Sequence, residues 1–364
     1  MGRTSTAAVV REPGAPFTLE SVELDDLRPG EVLVRIEAAG VCHTDMNMQH
    51  VVPMPAIVGH EGAGVVEETG PGVDYVKSGD RVIISWPACG ECPSCISGRR
   101  DICDNQFPLL FSGRRLDGSQ TVKLGGEWIS GAFFQQSSFA THAIAPANSL
   151  VRAEGDLSPD LLAALPCGVM TGAGSVINAL GVGVEDDLVV FGVGTVGLSA
   201  VMAGRLVGAD PIIAVDVNPD RLALALELGA THEVNVAQGD VAARVKEIIP
   251  RGARFAYDTS GVESSGRAAA QCLRMGGTYG TVAVPMSETL GFEPIEMLSK
   301  GARLQFILAG SATPRVLLPR LIHWYKQGRF PFDRLVKRFA FADINKAFEE
   351  SAAGRVVKAV LLMP

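Results

Sequence analysis

The chain has 364 residues, which is long enough for two domains with separate hydrophobic cores. Apolar residues make up 47% and charged residues 20%, a composition that excludes an extensively disordered protein. The net charge of −8 disfavours partners such as nucleic acid or an anionic membrane, and we expect no membrane-spanning segment. Seven cysteines are an odd number for a disulfide scaffold, so the expected location is a reducing compartment, the cytoplasm.

The first 150 residues are predicted to form short β-strands separated by glycine and proline. Each segment alternates polar and apolar residues or is continuously apolar, as in small antiparallel sheets and barrels. The clearest segments are TAAVV (6–10), GEVLVRIEAAGV (30–41), GAGVVEETG (62–70) and DRVIIS (80–85). We therefore expect a β-rich domain at the N-terminal end.

Three scattered residues could hold a metal ion with an open position. Cys42 and His60 lie in the β-rich region, and Cys167 follows Pro166 where an interdomain cleft would be expected. A Cys-His-Cys set leaves one tetrahedral position for water or a substrate. Each residue by itself is more often structural, but the glycine-rich turn around His60 favours a site. An open zinc would lower the pKa of a bound alcohol, so we expect metal-assisted chemistry here.

A second metal site is predicted from a local cluster of four cysteines with the spacing C-x2-C-x2-C-x7-C. Four thiolates suit a closed, tetrahedral structural zinc. A ferredoxin-type cluster would need its fourth cysteine sooner and a proline after it, whereas Asp104 follows here. A zinc ribbon would pair two knuckles about twenty residues apart. We therefore expect two zinc ions per chain, the closed one held by Cys89, Cys92, Cys95 and Cys103.

From about Leu161 onwards the pattern changes to strands that alternate with helices. The segments are LVVFGVG, TVGLSAVMAGRLVG, PIIAVDVN, RLALALELGA, FAYDTSG and GTYGTVAV (188–284). This alternation favours a parallel, doubly wound sheet with right-handed crossovers, so the chain is predicted to be an α/β protein.

A dinucleotide site is predicted at the first turn of this sheet. Gly192, Gly194 and Gly197 form a G-x-G-x-x-G motif between a strand and a helix, where the helix N-terminus can bind a pyrophosphate. Asp216 ends the next strand, and a carboxylate there binds ribose hydroxyls and repels a 2′-phosphate. We therefore expect NAD rather than NADP, although Arg221 could weaken that preference or stack on the adenine.

After about Ala309 the pattern becomes mixed. LIHWYKQGRF (321–330) is predicted to be a helix that ends at Gly328, and VVKAVLLMP (356–364) contains a last strand. We expect a β-rich domain interrupted by the α/β domain. The predicted limits are residues 1–168 and 308–364 for the first domain and 169–307 for the NAD-binding domain.

Over nearly its whole length the chain resembles the zinc-dependent medium-chain alcohol dehydrogenases. The resemblance implies a GroES-like catalytic domain, a Rossmann domain, NAD-dependent interconversion of alcohols and aldehydes, and a homodimer or homotetramer. Three further stretches resemble the benzyl (aryl) alcohol and geraniol dehydrogenases: FSGRRLDG, FFQQSSFATHA and VVFGVGTVGLSAVMAGRLVGADPIIAVDV. The motifs that carry the family resemblance are GVCHTD, VGHEGAGVVEETG, SGDRVI, CGECPSC with Cys103, PCGVMTGAG, FGVGTVG and IIAVDVN.

The resemblance also implies roles for single residues. At the zinc held by Cys42, His60 and Cys167, Thr44 would take the proton of the alcohol. Asp45 would orient the histidine ligand, and Glu61 would approach the metal during ligand exchange. The implied cofactor contacts are Thr171 and Val196 near the nicotinamide and His43 and Lys358 at the pyrophosphate.

Two positions depart from the pattern of the family. Where liver-type enzymes end their proton relay in a histidine, this chain has Asn47, which cannot act as a base, so the proton would leave through His50 or water. His43 stands where arginine is common, and we expect it to hold the pyrophosphate less firmly and in a pH-dependent way.

The substrate class rests on the subfamily resemblance and on apolar residues that could form pocket walls or could equally belong to the core. Such walls favour benzylic, allylic or terpenoid primary alcohols. The candidate walls are Trp86, Met46, Met48, Phe107, Leu109 and Leu110.

Other functions remain open. They are a zinc dehydrogenase for polyols, secondary alcohols or S-hydroxymethylglutathione, and a non-catalytic NAD-binding protein on the same fold. Zinc-free quinone reductases are disfavoured because they lack both cysteine sets, and a nucleic-acid-binding zinc protein is disfavoured by the pI of about 5.4.

Overall fold

The computed structural model describes residues 3–284 and 287–364 and divides the chain into two compact units. The sequence-based domain limits stay a prediction; the units differ from them in giving Gly168 and residues 308–312 and 321–332 to the second unit. The first unit comprises Met1–Cys167, Thr313–Arg320 and Asp333–Pro364, and the second comprises Gly168–Ala312 and Leu321–Phe332.

Strands are distributed over the whole described chain. In chain order they are β1 (Arg3–Val10), β2 (Thr18–Leu24), β3 (Glu31–Gly40), β4 (Ala56–Ile57), β5 (Gly62–Thr69), β6 (Arg81–Ile84), β7 (Val122–Leu124), β8 (Glu127–Ile129), β9 (His142–Pro146), β10 (Leu150–Arg152), β11 (Leu188–Phe191), β12 (Ile212–Asp216), β13 (His232–Asn235), β14 (Ala253–Asp258), β15 (Leu273–Thr281), β16 (Arg303–Phe306), β17 (Val336–Ala340) and β18 (Lys358–Leu362).

The α-helices are short in the first unit and longer in the second. In chain order they are α1 (His43–Asn47), α2 (Pro93–Ile96), α3 (Gln106–Phe111), α4 (Pro159–Ala164), α5 (Met170–Gly174), α6 (Thr195–Val207), α7 (Pro219–Leu228), α8 (Val241–Ile248), α9 (Glu263–Cys272), α10 (Pro294–Ser299), α11 (Pro314–Lys326) and α12 (Ile344–Ala352). Single π-helical turns follow α4 (Leu165–Val169) and α5 (Ser175–Ala179).

Two sheets form the first unit. One has the strand order β4-β1-β2-β7-β8, and the other has the order β10-β6-β5-β3-β18-β17 with β9 also paired to β3. Most neighbours are antiparallel, and β18 brings the C-terminal segment back to pair with β3. The predicted β-rich domain to which the C-terminus returns is therefore confirmed. β3 is the strand that links these pairings, and Cys42 lies just after its C-terminal end.

The second unit is built on one parallel sheet with the strand order β13-β12-β11-β14-β15-β16. All five neighbouring pairs are parallel. Counted from β11, this order is 3-2-1-4-5-6, the doubly wound arrangement that binds dinucleotides where the strand order reverses. All four residues of β11 are buried, as expected for a central strand covered on both faces. The predicted α/β fold class is confirmed.

One helical stretch corrects the expectation that no segment reaches the length of a membrane span. Residues Pro159–Ala179 are long and apolar enough to cross a membrane by length and composition, with a mean hydropathy of 1.5. However, 83% of this window is buried inside the protein, and core helices meet the same criteria. The stretch is therefore weak support for a membrane span.

The sequence missed elements that are short or mixed in character. β16 has only four residues, and two of them are polar, so its pattern is weak. The predicted helix at 321–330 is the second half of α11, which begins at Pro314 and ends at Lys326. Gly328, with a φ of 70°, lies just beyond the end of that helix.

Candidate metal and dinucleotide sites

Cys42 is positioned where β3 gives way to helix α1. It caps the N-terminus of α1, and Asp45, three residues later, accepts a hydrogen bond from the Cys42 backbone N–H at 2.9 Å. The same carboxylate accepts from the Gly59 N–H at 3.2 Å and lies 2.7 Å from His60 Nδ1. Asp45 is fully buried, so one carboxylate fixes both the turn that carries Cys42 and the turn that carries His60.

The donor atoms of Cys42, His60, Glu61 and Cys167 all lie within 4.8 Å of one another. The two sulfur atoms are 3.9 Å apart. His60 Nε2 is buried and has no hydrogen-bond partner, while Asp45 holds the other ring nitrogen. A buried, unpaired imidazole nitrogen facing two thiols is the arrangement that a zinc ion requires, so these residues fit the metal.

The ionisation of each titratable group at this site depends on its neighbours. The hydrogen bond from Cys167 lowers the pKa of Cys42 well below its usual value and raises the pKa of Cys167. Burial opposes the charged form of His60, but the Asp45 carboxylate and Cys42 hold the pKa of that imidazole well above its usual value. The site therefore already favours a thiolate at Cys42, and a thiolate is the form that binds a metal.

Lys358 lies inside this site, a position that the sequence did not indicate. Its ammonium group forms a close ion pair with the Glu61 carboxylate and donates to the Val41 carbonyl at 3.2 Å. Burial raises the pKa of Glu61 to about 7 against the pull of Lys358. Lys358 is only 2% exposed. Its predicted contact with the pyrophosphate stays a prediction, whereas its contact with Glu61 is a feature of the fold.

The predicted proton-transfer residues lie at the surface end of this region. Thr44 is half-buried and its Oγ1 lies 3.7 Å from the sulfur of Cys42. His43, Asn47 and His50 are exposed. Thr44 is therefore next to a potential metal ligand, and water can reach the residues that follow it in the chain.

Sequence reasoning missed two residues that hold His60. The ring of Phe134 stacks on the imidazole at 4.4 Å, and Gln136 Nε2 donates to the His60 carbonyl at 2.9 Å. Phe134, Gln135 and Ser137 have positive φ angles of 50°, 54° and 47°. Such angles are strained for these residue types and cluster at functional sites, but no local sequence signal marks them.

The four cysteines of the local cluster converge as predicted from their spacing. Measured sulfur–sulfur distances are 3.5, 3.9 and 4.0 Å, against roughly 3.8 Å for a zinc tetrahedron with 2.3 Å bonds. Backbone N–H groups point at three of the sulfurs and would stabilise thiolates. Cys272, the seventh cysteine, is fully buried elsewhere and burial raises its pKa to about 12. The converging residues are Cys89, Cys92, Cys95 and Cys103.

The glycine motif forms a tight turn between β11 and α6. Gly192 has a φ of 79°, which favours glycine, and a side chain at Gly197 would overlap the Gly192 carbonyl oxygen. A side chain at Gly194 would meet nothing within 4 Å. Two glycines are thus required by the turn itself, while the third leaves open space at the N-terminus of α6, where a phosphate would bind.

Asp216, at the end of β12, is tied to this turn. Its carboxylate accepts from the Val193 N–H at 2.8 Å and from the Asn218 N–H at 2.9 Å. Thr259 Oγ1 donates to the Gly192 carbonyl at 2.7 Å from the end of β14. A carboxylate has further lone pairs, so Asp216 can still accept from a ribose.

The other predicted cofactor residues lie on neighbouring helices of the second unit. Arg221 is in the first turn of α7, which is capped by Asn218. Thr171 is in α5, where Gly172 packs against the backbone of Val196, so these two predicted nicotinamide neighbours are close together.

The candidate pocket walls divide into different environments. Leu110 is in the hydrophobic core, Leu109 packs with the four cysteines, and Phe107 is 66% exposed. Trp86 and Met46 are partly buried against the core cluster that contains Phe134, as is Met48. These environments do not test the assignment, so all six pocket walls stay a prediction.

Two family models match the chain. The alcohol dehydrogenase GroES-like domain model covers residues 28–155, and the zinc-binding dehydrogenase model covers residues 195–325.

Individual relatives match over the full length. The geraniol dehydrogenase of Castellaniella defragrans is 41% identical over 364 residues, which are 99% of this chain and 98% of the relative. The crystal structure of an alcohol dehydrogenase zinc-binding domain protein from Burkholderia ambifaria has a TM-score of 0.97 and 42% identity. That of the benzyl alcohol dehydrogenase from Acinetobacter calcoaceticus has a TM-score of 0.95 and 37% identity. Both structures align over 100% of each chain.

Proposed function

The chain belongs to the zinc-dependent medium-chain alcohol dehydrogenases, and from this premise we propose that it interconverts primary aromatic, allylic or terpenoid alcohols and their aldehydes with NAD. The observation that carries the proposal is the convergence of Cys42, His60 and Cys167, with a buried and unpaired His60 Nε2. The similarity to a geraniol dehydrogenase and to a benzyl alcohol dehydrogenase supports the choice of substrate class.

When bound, one zinc would act as a Lewis acid on the alcohol, and NAD would accept the hydride. A second zinc would hold together the segment of residues 89–111 that carries the four cysteines, here called the four-cysteine lobe. Cys42, His60 and Cys167 would hold the catalytic zinc, with Asp45 fixing the tautomer of His60. Thr44 would accept the proton of the alcohol through its hydroxyl. Since Asn47 cannot act as a base, the proton would then leave to water or His50.

The proposed preference for NAD rests on Asp216. We expect wild-type kcat/KM to be at least about tenfold higher with NAD than with NADP, because the carboxylate repels a 2′-phosphate. Asp216→Asn keeps an acceptor but removes the charge, so the NAD:NADP ratio should fall in initial-rate measurements.

Asp220→Asn is the matched control for this comparison, because Asp220 is an exposed carboxylate four residues later, in the first turn of α7. Equal use of NAD and NADP by the wild-type protein would contradict the role of Asp216.

The substrate class is tested by following NAD reduction at about 340 nm with benzyl alcohol, geraniol, ethanol, sorbitol and S-hydroxymethylglutathione, alongside zinc content. We expect two zinc ions per chain and the highest kcat/KM for benzyl alcohol or geraniol. Turnover of sorbitol or the glutathione adduct alone would retain the dehydrogenase chemistry but replace the substrate class. No turnover at full zinc content would contradict the proposed function.

We also propose a cytoplasmic homo-oligomer in which a second copy pairs with the free edge of β16. This strand ends the parallel sheet and is bonded on one side, to β15. Leu304 and Phe306 are 41% and 65% exposed along it, and Leu308, two residues beyond its end, is 46% exposed. An exposed apolar edge strand is a template for pairing with another chain, and an identical copy supplies the same edge.

A further inference from the structure

Trp86 carries a polar group that the described part of the chain leaves unsatisfied. Its indole Nε1 is buried and has no hydrogen-bond partner. An indole nitrogen can only donate, and burying a donor without an acceptor is costly enough that folded proteins rarely do so. An acceptor from outside the polypeptide, such as a water molecule or a ligand, would satisfy it.

On one side, Trp86 is connected to the candidate metal site through one aromatic ring, that of Phe134. The indole packs edge-on against Phe134, with ring centroids 5.6 Å apart and an interplanar angle of 80°. Phe134 in turn stacks on His60 at 4.4 Å. Phe134 therefore contacts both the indole of Trp86 and the imidazole of a potential metal ligand.

On the other side, Ser85, the residue before Trp86, forms a side-chain hydrogen bond to the segment that carries Cys167. Ser85 Oγ lies 3.5 Å from the carbonyl oxygen of Pro166, the residue before Cys167. Trp86 is thus the chain neighbour of a residue bonded to the Cys167 segment, and its ring contacts the ring that stacks on His60.

The neighbours of the indole are apolar. Met46, Met48 and Phe111 pack against the same core cluster as Trp86. Phe111 also contacts Phe134 edge-on at 5.7 Å. Apolar walls accept an aromatic ring but cannot distinguish its substituents, so a single buried donor would dominate discrimination between molecules of equal size.

We propose that Trp86 is a specificity-determining residue whose indole N–H donates a hydrogen bond to an oxygen on the ring of the alcohol substrate. The preferred substrates are then primary aryl alcohols with a methoxy or similar ring oxygen. The inference rests on the proposed function. A methoxy oxygen can accept the hydrogen bond from the indole, whereas an apolar substituent of the same size leaves the buried N–H unpaired.

The test compares isosteric pairs, methoxybenzyl and ethylbenzyl alcohols substituted at the ortho, meta or para position. In the wild-type enzyme we expect kcat/KM to favour methoxy by about tenfold at one position or more. In Trp86→Phe the methoxy:ethyl ratio should fall to near one, and in Trp128→Phe, which removes a tryptophan 46% exposed elsewhere in the first unit, it should be unchanged. Because the two substrates have the same size, the smaller side chain of Trp86→Phe affects kcat/KM for both of them equally. Its effect therefore cancels in the methoxy:ethyl ratio.

A second measurement does not depend on turnover. The chain has three tryptophans, so three indole N–H signals are expected in a nitrogen-15 correlation spectrum of the zinc-loaded protein. Without NAD, the methoxy alcohol should shift one of them, the one missing in Trp86→Phe, and the ethyl alcohol should leave it in place.

Several results would overturn the proposal. They are equal kcat/KM for both members of every pair, a methoxy preference that survives Trp86→Phe, or an indole signal that neither alcohol moves, which would identify water as the acceptor. Failure of the proposed function is a different result, because no alcohol would then be oxidised at full zinc content.

Discussion

At the scale of single residues, Asp45 does more than the sequence suggested. The sequence resemblance gave it one task, the orientation of a histidine. In the structure its carboxylate also accepts from the backbone of Cys42 and of Gly59, so two ligand-bearing turns depend on it. A buried carboxylate with three such partners determines the shape of a metal site before any metal arrives.

We therefore predict that Asp45→Asn weakens zinc binding at the Cys42–His60–Cys167 site by about 10- to 100-fold. Asparagine keeps an acceptor for one backbone N–H, but it cannot neutralise the site or hold His60 in the tautomer that leaves Nε2 free. Competition with a chelator of known affinity measures the effect. Asp74→Asn, at an exposed position in the same unit, should bind zinc as the wild type does. Unchanged affinity in Asp45→Asn would contradict this role.

At the scale of elements, the turn between β11 and α6 separates two uses of glycine. Gly197 is required for packing, because a methyl group there overlaps the Gly192 carbonyl, whereas a methyl group at Gly194 meets open space. The motif letters alone do not distinguish these uses.

The matched variants Gly197→Ala and Gly194→Ala should therefore differ. We expect Gly197→Ala to lower the thermal unfolding midpoint by several degrees, since overpacking costs about 1–3 kcal/mol and each kcal/mol shifts a domain of this size by about 2–4 °C. Gly194→Ala should keep the midpoint but raise the Kd for NAD, because its methyl group would occupy the space of the pyrophosphate. Calorimetry and fluorescence titration with NADH give the two quantities. An unaltered NAD Kd in Gly194→Ala would remove this residue from the phosphate site.

The four-cysteine lobe is the second element whose stability can be tested. Its helices α2 and α3 have four and six residues, too short to persist by themselves, so the metal is expected to hold the lobe together.

Cys103→Ser should reduce zinc from two ions to one per chain and make residues 89–111 sensitive to proteolysis. The cause is the loss of one of four thiolates from a closed site. Cys272→Ala, which removes a buried thiol of the second unit that belongs to neither set, should keep both zinc ions. Two zinc ions in Cys103→Ser would show that the lobe does not need this ligand.

At the scale of the whole molecule, the exposed apolar residues are unevenly placed. Phe306 is 65% exposed on the edge strand β16 of the second unit, and Phe107 is 66% exposed on α3 of the first. Only the edge strand also offers unpaired backbone groups, which is why a second copy is assigned to it.

The prediction is that Phe306→Asp yields a monomer at micromolar concentration, because a buried charge on each side of a two-fold interface is strongly unfavourable. Phe107→Asp has the same change at an equally exposed site and should leave the oligomer intact. Light scattering coupled to size-exclusion chromatography gives the masses. A wild-type monomer, or an oligomer that survives Phe306→Asp, would contradict the proposed interface.

The sequence by itself determined the features that depend on local spacing. The Cys89–Cys103 cluster, the strand–turn–helix context of Gly192 and the alternation of strands and helices after Leu161 each lie within a short stretch of chain, where spacing dictates geometry. Residue type and the glycine-rich turn around His60 also indicated the scattered set of Cys42, His60 and Cys167, and the family resemblance implied that this set holds the catalytic zinc.

Only the tertiary structure decided what distant segments do together. Two contacts join residues far apart in sequence: the ion pair of Lys358 with Glu61 and the stacking of Phe134 on His60. The N–H of Trp86 is buried without a partner for the same reason, because its surroundings come from distant segments. Such contacts follow from β18 returning to β3 and from backbone angles at Phe134 that no residue pattern specifies. Their energies depend on burial, and burial is a property of the folded chain rather than of any segment.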